Sequence, residues 1–294
     1  MKHKSLRYKI FTVFNTLFLL LVMVACAYPF INTLAIALND STDSLKGGLT
    51  FFPRVFTLDN FKFVLGQASI QKAFVVTVAR GIIVTALTVI LQFAGAYALS
   101  KQDLPGRKFL FRYFMIPMFL TAGIIPKYIL YGTIGIMNTF WVYILPNLFS
   151  FYYLVVIRAN IKSIPESLFE SARLDGAGET RILFKIVIPL SLPVLATIAL
   201  WTSVSIWSDW ATTLYFASTN EALYTLQYYI RLFMIQSQII SEMIQRGIIN
   251  GGVRVTPVAL QAAQVMITTI PIVCVYPFVQ KYFIKGVITG SIKE

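Results

Sequence analysis

The chain is short of charge, of histidine and of cysteine, and each shortage removes a class of protein. Only 13% of its 294 residues are charged, against about 25% in a soluble domain. The 57% hydrophobic content and mean hydropathy of +0.73 point instead to a polytopic membrane protein. The single histidine, His3, lies in the N-terminal tail without partners at metal-ligand spacing. No metal site is expected, and a membrane enzyme built on clustered His, Asp and Glu is disfavoured. Cys26 and Cys274 each sit within an apolar run and read as small buried hydrophobes rather than as a disulfide. No Walker-type glycine loop is present, so the chain is expected to bind no ATP and no other cofactor itself. Internal repeats, low-complexity runs and a soluble domain are also missing.

What the chain does have is long apolar runs. A helix needs about 20 mostly apolar residues to cross a bilayer. Ile10 to Leu38, Ile186 to Ser208 and Val255 to Gln280 carry no charge, and Ala73 to Ser100 carries only Arg80. The 45 residues between Arg112 and Arg158 are broken only by Lys127, room for two spans joined by a tight connection around Gly132 to Asn138. Six spans result.

The net charge of +13 would suggest nucleic acid in a soluble protein, but its distribution says otherwise. With the N-terminus inside, 16 of the 25 Lys and Arg fall in four cytoplasmic stretches, 2–9, 101–112, 158–185 and 281–293. That is the bias that orients membrane proteins, so both termini are expected in the cytoplasm and no nucleic-acid partner is needed. The segment Met23 to Ala27 (MVACA) loosely resembles a cleavage site, yet the apolar run continues through Tyr28, Pro29 and Phe30. It reads as an uncleaved first span with a proline kink.

Three regions follow: 1–70 with the tail, first span and an external loop; 71–284 with spans two to six; and a cytoplasmic tail, 285–294. The first external loop carries mixed charge and a short helix opening at Thr57. The second, 211–254, is 44 residues long and rich in Tyr, Phe and Ile, which argues for order and for a partner outside.

The stretch Glu170 to Pro193, ESARLDGAGETRILFKIVIPLSLP, stands out as polar between two apolar runs. Ser163 can cap a helix there and Glu166 can complete a capping box. That helix would carry Ile164, Leu168 and Ala172 on one stripe and Glu166, Glu170 and Arg173 on another. Gly176 and Gly178 allow a stop and a sharp turn, with Asp175 placed to bond local amides. A second helix would start near Glu179 and enter the membrane. The exposed semi-apolar stripe suits a groove on another protein, or an interfacial helix lying on the inner leaflet.

Glu170, Ser171, Ala172, three residues, Gly176, nine residues, Ile186, one residue, Ile188 and Pro189 resemble the signature loop of the membrane-spanning subunits of binding-protein-dependent ABC importers. The family's pattern has alanine at the position of Ser171 and leucine at that of Ile188. AYALSKQDLPGRKFL, YFMIPMFLTAGIIPKYIL, NTFWVYILP, PLSLPVLATIAL and YPFVQKYFIKGVITGSIKE are similar to the carbohydrate branch, most of all to the lipoprotein, aldotetraouronic acid or alginate type. The resemblance implies an all-α type I importer permease fold with six spans, in a bacterial inner membrane. It implies a heterodimer with a second permease, two ATPase subunits holding ATP and magnesium, and an external solute-binding protein delivering an oligosaccharide. The chain would not be an enzyme. Within the loop 159–189, Ile164 to Gly178 would be the coupling helix: Glu170, Arg173 and Asp175 polar contacts to the ATPase, Ala172 and Ala177 close packing, and Gly176 the turn, with Glu166, Ser171 and Gly178 also counted in the coupling set.

Substrate-pathway candidates are Arg80, Lys127 and Tyr128, and Trp201, Trp207, Asp209 and Trp210. The two cations could equally snorkel from the outer ends of their spans, and the tryptophans beside Asp209 could be the interfacial belt. An amino-acid or peptide importer is the nearer alternative. A secondary transporter is the farther one, since no secure span has a central acid.

Overall fold

The computed structural model describes residues 6–120, 122–245 and 256–291, and the expectations for Lys2, His3, Lys4, residues 246–255 and 292–294 lie outside them. Among the described residues every regular element is helical apart from an antiparallel bridge between Asn39 and Phe56. In chain order these are α1 (Leu6–Ala37), α2 (Ser41–Ser44), α3 (Asp59–Leu65), α4 (Ala68–Ser100), α5 (Arg107–Phe119), α6 (Ile124–Thr133) and α7 (Trp141–Ile144). There follow α8 (Phe151–Lys162), α9 (Glu166–Leu174), α10 (Glu179–Ile182), α11 (Ile188–Ser208), α12 (Ala211–Phe216), α13 (Leu226–Gln245) and α14 (Pro257–Ser291). A π-helical turn, Leu183–Val187, joins α10 to α11 into one rod.

Four helices are long and apolar enough to cross a bilayer: α1, α4, the rod Glu179–Ser208, and Pro257–Cys274 within α14. The two further spans read from the sequence are each a broken pair of helices, α5 with α6 and α7 with α8, and counting each pair as one gives six. The breaks have local causes. Pro117 and the extended Leu120 end α5, and Gly123 at φ 77° opens α6. Pro146 sits in a 3-10 turn, and Ser150 at φ −134° precedes α8, which is bent 48° from α7. Proline lacks the donor that the helical ladder needs, so a span carrying one breaks where other groups can take up the freed carbonyl. The tight connection at Gly132 to Asn138 forms, with Gly135 at φ 73° and Asn138 at φ 56°.

Helix α1 continues through Met23–Ala27 and past Pro29. Cys26 and Cys274, expected to be buried, are exposed and free; on a helix in lipid, an outward apolar face needs no protein cover.

The chain groups into two compact units, one of residues up to Gln71 with Ile230–Ile270, the other of Lys72–Tyr229 with the residues from Pro271 onward. In the first, the segment between α1 and α3 is a polar knot. Asp40 caps α2, accepting from the Thr42 and Asp43 amides at 2.9 and 3.0 Å. Asn39 accepts from the Val55 amide at 2.8 Å and donates to Asp43 at 3.0 Å, and Arg54 Nε donates to the same carboxylate at 2.8 Å. Asn60 donates to the Ala37 and Asn39 carbonyls, both at 2.9 Å, and accepts from Ser41 at 2.7 Å. The hydrogen bond from Asn39 and those from Lys46 and Arg54 hold the Asp43 carboxyl well below its ordinary range. The helix expected to open at Thr57 starts at Asp59, whose amide donates to the Thr57 hydroxyl at 3.1 Å.

In the second unit one apolar cluster, with Leu99, Leu154, Ile157, Ile182 and Ile198 at its centre, draws together α4, α8 and the rod. Lipid tails are as apolar as these side chains, so the cluster is held chiefly by close packing. Gly95 allows it: a Cβ there would lie 3.1 Å from the Leu154 side chain.

Candidate functional site

The polar stretch after the fourth span folds as a helix, a turn and a second helix. Ser163 closes α8 instead of opening α9: its hydroxyl donates back to the Asn160 carbonyl at 2.7 Å, and Pro165 stands at the start of α9 without a side-chain cap. The capping box expected from Ser163 and Glu166 does not form, because the serine hydroxyl is already committed to α8. Glu166 is exposed and lies 3.9 Å from Arg173.

The apolar stripe is also corrected. Ile164 and Phe169 are buried, and Ala172 and Ala177 pack half-buried on the cluster that holds Leu99 and Ile182. Leu168 and Leu174 point outward, 43% and 88% exposed. Phe169, overlooked in the sequence, takes the inward position because it lies three residues before Ala172 on one helical face. The outward surface of α9 therefore carries Leu168, Glu170, Ser171 and Leu174, all exposed.

Gly176 makes the turn. Its amide donates to the Arg173 carbonyl at 3.0 Å, and that of Ala177 donates to Ala172 at 2.9 Å, the two bonds that close a helix when the following residue is left-handed. At φ 73° Gly176 supplies that conformation. Asp175 contributes its amide to the Ser171 carbonyl at 3.0 Å, while its carboxylate makes none of the local bonds expected of it. Gly178 is extended, at φ −72° and ψ 164°, and leads into α10.

Glu179, the first residue of α10, gathers three partners. One carboxylate oxygen accepts from the Tyr97 hydroxyl at 2.7 Å and from the Lys101 ammonium; the other lies 3.6 Å from Arg173. Lys101 also lies over the Tyr97 ring, 4.7 Å from its centroid. Burial alone would push the Lys101 ammonium down, but its bonds to Glu179 and Tyr97 outweigh that and raise it. A cleft of about 1080 Å³ opens beside α9, its wall mixing Lys101, Arg107, Lys162 and Arg173 with Asp103, Glu166 and Glu179.

A second cluster joins Arg80, within α4, to Asp209 at the far end of α11. Arg80, 1% exposed, bonds the Asp209 carboxylate, and its guanidinium lies 4.5 Å from the Tyr143 ring centroid. Asp209 also accepts from the Thr212 amide at 3.0 Å. Tyr143 donates to the Leu223 carbonyl at 2.8 Å and meets Thr213, which in turn meets Thr225. The Arg80 side chain is thus enclosed, while that of Asp209 keeps 23% of its surface open.

The remaining pathway candidates lie on α6 and on or just past α11. Lys127 and Tyr128 are exposed on α6. Trp207 is half-buried, edge-on to Phe74 at 6.1 Å, and Trp210 is half-buried. Trp201 is 41% exposed, stacks with Tyr152 at 6.0 Å and lies tilted against Tyr153 at 6.2 Å. The described part of the 211–254 segment is ordered as α12 and α13.

The comparisons with known proteins agree with one another. The family model for the binding-protein-dependent transport system inner membrane component matches residues 3–289. The polygalacturonan/rhamnogalacturonan transport system permease protein YtcP of Bacillus subtilis is 32% identical, covering 94% of this chain and 96% of that protein. Protein LplC of the same organism is 31% identical over 99% and 97% of the two chains. A chain from the crystal structure of a bacterial ABC transporter involved in the import of the acidic polysaccharide alginate superposes with a TM-score of 0.83 over 96% of this chain and all of that one, at 24% identity. Family match and shared fold together identify the chain as a member of the binding-protein-dependent transport system inner membrane components, the permease subunits of ABC importers.

Proposed function

We propose that this chain and a second, different permease form the pathway of an ATP-driven oligosaccharide importer, and that α9 receives the ATPase. The observation that carries this reading is the exposed face of α9. Leu168, Glu170 and Leu174 project from a helix whose other face is fixed on the core and whose end is locked by Gly176. A short helix with an apolar and acidic outer face, braced from behind, suits a groove on a partner. Two ATPase subunits would bind ATP and magnesium; this chain would hold no cofactor. The basic residues of 101–112 and 158–185 support the cytoplasmic side for this end of the chain, and with it cytoplasmic termini. An external solute-binding protein would deliver the sugar at the other face, where the second external segment lies. The sugar-transport name of the relative YtcP supports a carbohydrate cargo. Trp201 with Tyr152 offers an exposed pair of stacked rings against which a sugar can pack.

Purification of the chain from its own membrane in mild detergent should recover a second permease and an ATPase. In the reconstituted complex Glu170→Lys or Gly176→Pro should leave the chain in the membrane and abolish stimulation of ATP hydrolysis by the loaded binding protein. Unchanged stimulated hydrolysis in both variants would remove α9 from the coupling role.

A further inference from the structure

Glu179 lies outside the outward face of α9, and its three contacts do something that face cannot. The loop Asp175–Gly178 already joins α9 to the rod covalently, so those two elements move together without it. Helix α4 has no such tie: Tyr97 and Lys101 reach Glu179 from 82 and 78 residues away in the chain. Otherwise α4 and α9 share the common apolar cluster, in which Leu99, Phe169 and Ala172 all take part. Apolar packing resists separation but permits sliding, whereas a carboxylate held by a hydroxyl and an ammonium on one side and a guanidinium on the other fixes register.

We infer that Glu179 is a positioning residue that ties the cytoplasmic end of α4, through Tyr97 and Lys101, to the α9–α10 elbow, so that displacement of α9 is passed to α4 as well as to the rod. This rests on the reading of α9 as the element that meets the ATPase. The side chain of Glu179 is half exposed and that of Lys101 a quarter exposed, so the tie contributes little to holding the fold together. Its effect is on which helices move when α9 does.

The test uses the assembled importer in lipid vesicles, reading sugar uptake and ATP hydrolysis together. Glu179→Ala should still co-purify with the ATPase while uptake per ATP hydrolysed falls about tenfold, within the range of ordinary coupling effects. Tyr97→Phe, which removes one hydroxyl, should lower the same ratio less. Glu179→Gln, whose amide oxygen can still accept from Tyr97 and Lys101, should retain a large part of it, whereas Glu179→Ala should not. A wild-type ratio in Glu179→Ala, or a ratio in Glu179→Gln no better than in Glu179→Ala, would overturn the tie. The Glu170→Lys control separates the two ideas. If it loses stimulation while Glu179→Ala is normal, only the tie falls; if neither variant changes hydrolysis, the reading of α9 falls with it.

Discussion

Two cations fasten α4 to the rod, Arg80 within the helix and Lys101 just past its last residue, and the two are built alike but set in opposite surroundings. Arg80 meets Asp209 and covers the ring of Tyr143; Lys101 meets Glu179 and covers the ring of Tyr97. The two acids bracket the α10–α11 rod, 30 residues or about 45 Å apart along it. The same pair of elements is therefore fastened twice. The Arg80 side chain is 1% exposed, that of Lys101 25%. An enclosed charge cannot be released without a large cost, because its partner would be left unpaired away from water. A half-wet pair can be broken and remade for little. The first fastening therefore sets the fold, and the second is free to take part in motion at the end where α9 lies.

The sharpest way to break this contrast is to remove one partner at each end. Asp209→Ala leaves a buried guanidinium unpaired and should destabilise the chain by roughly 3–5 kcal/mol, seen as loss of protein from the membrane or a large fall in Tm in detergent. Adding Arg80→Met to Asp209→Ala should recover much of that loss, since an apolar pair of similar volume carries no stranded charge. Glu179→Ala should cost no more than about 1 kcal/mol in the same assay, and an equal loss at both ends would erase the distinction.

How much of this was legible in the chain follows from what sequence can encode. The apolar runs announced the spans, and the loop around Gly176 announced itself through residue type and spacing, since only glycine takes a left-handed φ cheaply at a helix end. The broken third and fourth spans were less legible, because Pro117 and Pro146 can kink a helix as well as end it. Ser163 was read as opening the next helix, when as easily it closes the previous one; serine serves either neighbour. The pairs Arg80 with Asp209 and Lys101 with Glu179 link residues 129 and 78 positions apart. No local pattern records such a pairing, so Arg80 stands out in the sequence only as a costly intramembrane charge and Asp209 only as an acid among tryptophans, while Lys101 serves only to orient the chain, Glu179 only to start a helix, and Tyr97 has no role.

The pH dependence of the charged clusters sharpens the account at a smaller scale. Asp43 in the polar knot between α1 and α3 titrates well below its ordinary 3.8; what its charge contributes is present above that value and is lost as pH falls beneath it. Lys101 titrates above its ordinary 10.5; its contribution is complete below that value and is lost as pH rises through the higher one. Tm should therefore stay flat between about pH 5 and pH 9 as far as these two groups govern it, with loss only at the extremes. A Tm step near neutrality that Asp43→Asn or Lys101→Met abolishes would contradict this.

The smallest stability effect belongs to the surface proposed to matter most for coupling. Leu174→Ser on the open face of α9 should change Tm by less than about 0.5 kcal/mol in equivalent stability, yet weaken retention of the ATPase during purification. A marked loss of stability would mean that Leu174 is covered by this chain.

The most direct measurement is a photo-crosslink from position 174 in native membranes. With a photoreactive residue in place of Leu174, the account predicts a covalent adduct to an ATP-hydrolysing subunit, while the same residue in place of the buried Phe169 yields none. An adduct to lipid alone at position 174, in membranes from which the ATPase still co-purifies with the chain, would contradict the claim that α9 is where the ATPase docks.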